Sequence, residues 1–488
     1  MKRVLLGVVA VLILLVAVVL IRTFMYTPPA LEQREIVTHS PDRDVLAQRL
    51  SQALQFKTIS RQEPQPGDRQ AFDAFIAWFE QTYPVAHAAM DRTLIAEQTI
   101  LMKWEGKDTS VKPVLLTAHY DVVPVIPGTE DLWKQDPFAG VIEDGYVWGR
   151  GALDNKGGVI AMMEAATLLL ERGFQPERTV YFSFGHDEEI GGGTGAAGVV
   201  DYLQAEGVQL AWSVDEGSFV LDGIIPGLDQ KVAMINVAEK GYVTLDLVAT
   251  AQGGHSSMPP QESAVTLLAD AIVKLKNAPV PGGLEGISGE AYGTLARHMP
   301  FAQRMAFANQ WLFGGMIEDM LTGLPAGNAM LRTTTAPTML SASIKENVLP
   351  INAIATVNFR LHPRDTVESV VAHVEQAVGP DIEVRRRPRG GNASPVASTS
   401  AEGFASLASA SRDVLGDVII APGLTVAGTD SKHYVKVADD AYRFNPFIVG
   451  SEDIVTIHGT NERISIDNLV LGTDYFTQLL ITTKAPGE

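Results

Sequence analysis

Val114-Leu115-Leu116-Thr117-Ala118-His119-Tyr120-Asp121-Val122-Val123-Pro124 begins as an apolar, β-rich run and ends abruptly in a histidine and an acid. A short run of this kind, bounded by a turn signal, reads as a strand buried on both faces, as in a parallel sheet. The same grammar recurs three times. Thr179 to Phe184 is followed by Glu188 and Glu189, Leu210 to Val214 by Asp215, and Ile454 to Ile457 by His458. Between the first two strands, Gly158 to Arg172 reads as an apolar helix opened by a glycine pair and closed by Gly173. Helical patterns alternate with short β-branched runs from about Asp42 onward, which predicts an α/β fold with a mostly parallel central sheet and flanking helices.

In an open parallel sheet the carboxyl ends of the strands line the ligand crevice, so these acids and imidazoles should converge. Asp154 joins them from the glycine-rich loop Gly149-Arg150-Gly151-Ala152-Leu153-Asp154-Asn155-Lys156-Gly157-Gly158. Singly, each has an ordinary reading: Asp154 as a helix cap, Glu188 and Glu189 as a solvated pair, His119 and His458 as hydrogen-bonded structural residues. Together they do not, because that many carboxylates in one crevice repel one another unless a cation holds them. The positive charge of two Zn²⁺ is balanced formally by Asp154, Glu189, Asp215 and a hydroxide, with His119 and His458 neutral. Asp154 is the natural bridge between two ions about 3.5–4 Å apart. In extended backbone Glu188 and Glu189 point to opposite sides, which assigns Glu189 as ligand and Glu188 as general base. Asp121 is placed to accept from the second ring nitrogen of His119. His186 and Asp187 read as structural.

The composition agrees with a metal-dependent enzyme and excludes other classes. The 488 residues are 46% hydrophobic and 19% charged, enough for a large core and too apolar for a disordered chain. A net charge of −19 disfavours nucleic acid as a partner, and with no cysteine any metal must be held by His, Asp and Glu.

A second pattern interrupts the first. Strand Tyr242 to Ala249, helix Ser263 to Lys276, strands Thr338 to Ile344 and Ala353 to Leu361, helix Val367 to Val378 and strand Ile382 to Arg386 follow the order β-α-β-β-α-β. That is the split unit of a ferredoxin-like α+β domain. Residues 239–388 therefore read as an insertion between two catalytic parts, 42–238 and 389–488. Inside it, residues 279–337 are an excess segment. It carries Phe301, Met305, Phe307, Trp311, Leu312, Phe313, Met316 and Met320, read as local core or else as a lining for an apolar substrate.

At the start of the chain, Lys2 and Arg3 precede an uninterrupted apolar run from Val4 to Ile21. A helix of that length crosses a hydrocarbon core. The run ends in Arg22-Thr23-Phe24-Met25-Tyr26, without a small-x-small cleavage site, so residues 1–26 read as an uncleaved membrane anchor rather than a signal segment. The basic flank stays cytoplasmic, and everything after Tyr26 is exported, periplasmic or extracellular, or secreted if the segment is cut. Residues 27–41 read as a tether.

The ordered motifs His119-Tyr120-Asp121-Val122-Val123-Pro124, Gly149 to Gly158, Asp187-Glu188-Glu189-Ile190-Gly191-Gly192, Asp215-Glu216-Gly217 and His458-Gly459 resemble the M20 peptidases, the di-zinc aminoacylase and carboxypeptidase family. The resemblance implies one ion on His119, Asp154 and Asp215 and another on Asp154, Glu189 and His458, with Co²⁺ or Mn²⁺ as alternatives to zinc. It also implies a non-proline cis peptide after Asp154 and identifies the inserted domain as a lid. His255 in Gly253-Gly254-His255-Ser256-Ser257 resembles the lid histidine that stabilises the oxyanion. Asn347 and Arg360 resemble the residues that grip the substrate carboxylate, with Gly428 and Thr429 as further donors. Short family members dimerise through the lid and supply that histidine in trans. The enlarged insertion resembles the subgroup of Gly-Xaa carboxypeptidases and N-fatty-acyl amino acid hydrolases. The expected activity is hydrolysis of the amide bond of an N-acyl amino acid, or of a small peptide with a free carboxylate. The rival from another class is a non-catalytic, metal-containing peptide receptor, against which the carboxylate of Glu188 speaks.

Overall fold

The computed structural model describes residues 1–30 and 34–483, so Leu31 to Gln33 of the expected tether and the last five residues of the expected catalytic part lie outside it. The described chain divides into two compact units, one formed by Met1–Thr27, Ala238–Arg297 and Phe301–Val396, the other by Pro28–Val237, His298–Pro300 and Ala397–Glu488.

The second unit is built on a ten-stranded sheet. Its centre is parallel: Val114–His119 lies between Val180–Gly185 and Leu210–Asp215, and Leu210–Asp215 pairs in turn with Ala438–Arg443. The strands flanking this centre are antiparallel to it, Thr99–Trp104 on one side and Val232–Glu239 on the other. Every residue of the Val114–His119 and Val180–Gly185 strands is buried, which is why they read as continuous apolar runs rather than alternations. The apolar helix runs Lys156–Glu171 and packs on the Val114–His119 strand. Its N-cap is Asn155, without a side-chain cap bond, so Asp154 does not serve as the cap.

One expected strand is absent. Ile454 to Ile457 is the end of a short helix, Ser451–Ile454, followed by a turn. The Gly450 N–H donates to Asp453 Oδ2 (2.9 Å) and Thr456 Oγ1 donates to the Asp453 carbonyl (2.7 Å), so local side-chain bonds hold a turn that the β-branched run alone disguises. His458 therefore reaches the site from a turn, at φ 58°, and not from a strand end. A small three-stranded sheet fixes that turn: Arg463–Ser465 pairs with Tyr146–Trp148, which leads directly into the Gly149 to Gly158 loop.

The first unit contains a four-stranded antiparallel sheet in the order Thr334–Ser341, Asn352–Leu361, Gly241–Thr250, Ile382–Gly391. With helices Ala264–Asn277 and Val367–Val378, this is the β-α-β-β-α-β topology, with the last strand running on to Gly391. Val243, Leu245, Leu247 and Ala249 alternate inward from one strand and meet Val357, Phe359 and Leu361 from the next. Leu268, Ala271 and Leu275 of the first helix and Val367, Val370, Val374 and Val378 of the second cover the same face. Each fully buried Val, Leu or Phe contributes about 1.5–3 kcal/mol. Capping boxes at Ser263 with Thr266 and Thr366 with Ser369 start the two helices. The edge strand begins at Thr334 rather than Thr338, because a register shift between Pro337 and Met339 accommodates the proline, which has no N–H to donate.

Before these strands' partners, residues 287–331 form four helices, Ile287–Ala296, Phe301–Ala308, Gln310–Thr322 and Pro325–Leu331. The apolar N-terminal segment is a helix, Lys2–Met25, whose 24 residues span about 36 Å.

Candidate metal centre and active site

His119 closes its strand with a side chain 1% exposed. Its Nδ1 lies 3.0 Å from the Asp121 carbonyl and 3.3 Å from Asp121 Oδ1, so the ring proton belongs on Nδ1 and Nε2 presents its lone pair. Asp121, fully buried, also accepts from Ser60 Oγ (2.6 Å) and from the Glu188 and Glu189 N–H groups (3.3 and 3.1 Å). Asp121 thus orients the histidine, chiefly through its backbone carbonyl, while its carboxylate positions the turn that carries both glutamates.

From His119 Nε2, Asp154 Oδ1 is 3.1 Å away and Glu216 Oε1 is 3.4 Å away. The other oxygen of Asp154, Oδ2, lies 3.1 Å from His458 Nε2, which is also 3.1 Å from Glu189 Oε2. Two groups of donors result, His119 with Asp154 and Glu216, and Asp154 with Glu189 and His458, each within 4.8 Å and sharing Asp154. The structure gathers Glu216 here in the place expected for Asp215. Asp215 is the last residue of its strand, and successive side chains at a strand end face opposite ways. Glu216 comes out beside His119, held by Asn155 Nδ2 (3.1 Å), while Asp215 Oδ1 accepts from the Glu216 N–H (2.9 Å). The peptide bond between Asp154 and Asn155 is cis. Glu188 and Glu189 sit in a 3₁₀ turn, Glu188–Ile190, so turn geometry rather than strand alternation separates them. His186 and Asp187 are structural: His186 pairs with Thr99 Oγ1 (2.6 Å), and Asp187 accepts from the Thr194 and Gly195 N–H groups (2.8 and 3.0 Å).

Three residues of this corner make contacts that the local sequence does not announce. Glu462, fully buried, accepts from Arg150 Nη1 (2.7 Å) and from the N–H groups of Gly151 (2.9 Å), Leu153 (3.0 Å) and Asp154 (3.1 Å). Arg150 Nη2 donates in turn to the Gly459 carbonyl (2.7 Å). The pair therefore ties the Asp154 loop to the His458 turn. Gly151 takes φ 87° there, which a side chain would resist. The third is Asp430, 1% exposed, neither oxygen of which has a hydrogen-bond partner among the described residues. It packs so close to Gly192 that a Cβ at that position would fall 1.9 Å from Oδ1.

The electrostatics describe a cluster that needs positive charge. Burial pushes the Glu188 and Asp430 carboxyls well above the usual carboxylate range, raises Glu189, and lifts Glu216 to about 8 with help from the Asp154 charge. Burial also opposes ionisation of Asp154, but hydrogen bonds from His119 and His458 hold it below the ordinary value. Those bonds, with Glu189, raise His458 to about 10. Burial pulls His119 down, and the Glu216, Asp121 and Asp154 carboxylates outweigh it, leaving it well above its ordinary value. Protons thus stand where a cation would stand, and a divalent ion would displace them. The donor set, imidazole nitrogens and carboxylate oxygens without thiolate, suits zinc, cobalt or manganese. Glu189 Oε1, buried and without a hydrogen-bond partner among the described residues, fits the same requirement.

In the first unit, the strand pair Gly254–His255 with Val348–Leu349 brings His255 beside Asn347, whose carbonyl accepts from the Ser256 N–H (3.2 Å). His255 Nδ1 accepts from the Ser257 N–H (3.1 Å), which leaves its Nε2 outward on an exposed ring. Arg360 is not with them. It pairs with Tyr242 at one end of the sheet, its guanidinium 5.6 Å above the Tyr242 ring, whereas the His255 hairpin follows the Thr250 and Asn352 pair at the other end. Eight residues of strand separate the two places, about 27 Å. In the second unit, Gly428 is exposed and Thr429 buried in the loop before Asp430, with the Thr429 methyl against Gly217.

Residues 115–482 match the model of peptidase family M20/M25/M40. The chain is 37% identical over 480 residues to the N-fatty-acyl-amino acid synthase/hydrolase PM20D1 of Xenopus tropicalis, covering 96% of this chain and 93% of that protein. It is also 37% identical over 444 residues to the probable carboxypeptidase S-like 2 of Dictyostelium discoideum, covering 90% and 85%. The fold resembles that of the M20 family metallo-carboxypeptidase Sso-CP2 from Sulfolobus solfataricus, with TM-score 0.62 at 19% identity over 89% of this chain and 98% of that one. Human carnosine dipeptidase 1 gives TM-score 0.62 at 17% identity, covering 90% and 96%. The motifs, the sheet and the matched sequence agree: the chain belongs to peptidase family M20/M25/M40 and is a metal-dependent amide hydrolase.

Proposed function

We propose that this protein is a membrane-anchored, exported hydrolase of N-acyl amino acids, with two divalent ions held by His119, Asp154 and Glu216 and by Asp154, Glu189 and His458. The observation that carries the reading is the single carboxylate of Asp154, whose two oxygens each meet a different histidine at 3.1 Å. Ions bound there supply Lewis-acid polarisation of the scissile carbonyl and make water acidic enough to react near neutral pH. Glu188 takes the proton from the attacking water and passes it to the leaving nitrogen. Asp121 keeps Nε2 of His119 aimed at the site. His255 donates to the developing oxyanion, Arg360 forks the substrate carboxylate, and Asn347, Gly428 and Thr429 add hydrogen bonds.

The spacing inside the lid supports a homodimer. A substrate in which one amide neighbours one carboxylate cannot reach across about 27 Å, so His255 with Asn347 and Arg360 of the same chain cannot serve the same molecule. A second copy supplying His255 and Asn347 resolves this.

The long-chain acyl preference is favoured by the PM20D1 relatives and by the apolar helices of residues 287–331. Turnover of a dipeptide of the Gly-Xaa type is the second reading, favoured by the carboxypeptidase S-like relative. A panel comparing a lipidic N-acyl amino acid with a Gly-Xaa dipeptide tests the choice. Faster turnover of the acyl substrate is expected, and faster turnover of the dipeptide would overturn the preference.

A further inference from the structure

The apolar stripe of residues 301–320 divides in the structure. Phe307 packs inward at 5% exposure, and Ile317 and Leu321 hold the Gln310–Thr322 helix to its unit. Phe301, Trp311, Leu312, Met316 and Met320 face outward at 42–59% exposure. Leu312, Met316 and Met320 recur every four residues, which lines them up along one side of that helix. Local core accounts for the first set and leaves the second uncovered.

What lies beside this face says what covers it. The last turns of the Lys2–Met25 helix are docked on the corner between the Phe301–Ala308 and Gln310–Thr322 helices. Asn309 occupies that corner, fully buried, and its Nδ2 donates to the Val19 carbonyl (3.2 Å) and lies 3.3 Å from Thr23 Oγ1. Arg22 Nε donates to the Ala308 carbonyl (3.1 Å), and Tyr26 donates its hydroxyl proton to the Gly293 carbonyl (2.7 Å). The Arg297 guanidinium lies 4.6 Å above the Tyr26 ring, and the rings of Phe24 and Phe301 are 5.7 Å apart. Arginine and tyrosine at the end of an apolar helix belong at the level of lipid headgroups. The joint therefore fixes the 287–331 helices at that level, and the outward Trp, Leu and Met side chains begin two residues from the buried Asn309.

We propose that the outward face of the Gln310–Thr322 helix, with Phe301, lies in the headgroup and acyl boundary of the bilayer as a second, non-spanning membrane contact. This rests on the reading that residues 2–25 remain in the membrane as an anchor. The occupant is lipid, because the free surface of the neighbouring Lys2–Met25 helix is apolar along its length and hydrocarbon is what covers such a surface. A flat contact of Trp, Leu and Met with arginines Arg22, Arg297 and Arg304 close to the joint has the composition of an interfacial helix. Enzyme and lipidic substrate would then meet on the same surface.

The chain has no cysteine, so single cysteines can be labelled without background. Full-length protein carrying Met316→Cys, Val11→Cys or Ser110→Cys, each labelled with nitrobenzoxadiazole, is reconstituted in phosphatidylcholine and phosphatidylglycerol vesicles containing spin-labelled lipid quenchers. The Met316 label should lose roughly half its emission or more to a quencher near the headgroups, the Val11 label to one deep in the chains, and the exposed Ser110 label to neither. Quenching at Val11 without quenching at Met316 overturns the inference and leaves the anchor standing. Quenching at neither removes the anchor and the inference with it. Self-quenching between copies at Met316 that is insensitive to lipid quenchers assigns the face to a second chain and also overturns it.

Discussion

The sheet of the first unit and the metal corner of the second are both fully packed, yet they are held by opposite physics. In the first, strand alternation and helix periodicity put Val243, Val357, Val370 and their neighbours on one dry face, and the polar residues stay outside. In the second, Asp121, Glu188, Glu189, Glu216, Asp430 and Glu462 crowd around His119 and Asp154 with little apolar gain. Such a corner is stable only because backbone N–H groups, arginine and protons, or metal ions, offset the charge. The comparison teaches where each kind of damage should register: in catalysis and metal affinity for the corner, in stability alone for the sheet.

The largest effect should come from the corner's chemistry. Glu188→Ala is expected to lower turnover by about 10²–10⁴-fold while metal content and the fold persist, as for loss of a general base. Unchanged turnover in steady-state assays would remove Glu188 from the mechanism. Next is Glu462→Gln, which leaves Arg150 buried without its carboxylate. It should cost about 3 kcal/mol in denaturant unfolding and weaken metal affinity about 10–100-fold, because the Asp154 loop and His458 turn lose their tie. Destabilisation with wild-type metal affinity would make the pair merely structural. In the sheet, Val357→Ala should cost about 2 kcal/mol without altering metal stoichiometry, and a loss of metal there would erase the distinction between the two regions.

The smallest effect is a pH dependence confined to the first unit. His362 is buried, its Nε2 3.0 Å from Ser288 Oγ, and burial, then Arg364 and Lys240, lower its pKa to about 3. Between about 3 and the ordinary value near 6.5 the unfolded chain binds a proton that the folded chain does not, so stability falls as pH falls through that window. The slope reaches at most about 1.4 kcal/mol per pH unit. Hydrogen exchange of the Asn352–Leu361 strand from pH 7 to 5 should show the decline in the wild type and a shallower one in His362→Gln. Equal slopes would refute the assignment.

How much of this was legible in the sequence follows the same division. The buried parallel strands announce themselves by unbroken apolar runs, and His119 and Glu189 stand at or just past their ends, whereas Asp154 and His458 come from loops outside those strands. The choice between Asp215 and Glu216 was not legible, because it depends on which way the chain turns as it leaves the strand. Ile454 to Ile457 misleads because β-branching outweighs the Gly450 and Asp453 turn in a reading of pattern alone. Arg150 and Glu462 are 312 positions apart in the chain, and nothing local in either announces the other. The helical stripe in residues 301–320 reveals apolar faces, but only the docked end of the first helix reveals which of them protein covers.

The proposed reading has Asp154 held between two ions. Metal content per chain, measured by inductively coupled plasma mass spectrometry on the purified full-length protein and on Asp154→Asn, tests it most directly. The account predicts two equivalents of transition metal in the wild type and fewer than one in the variant. One equivalent or none in the wild type, or two retained after Asp154→Asn, would contradict it.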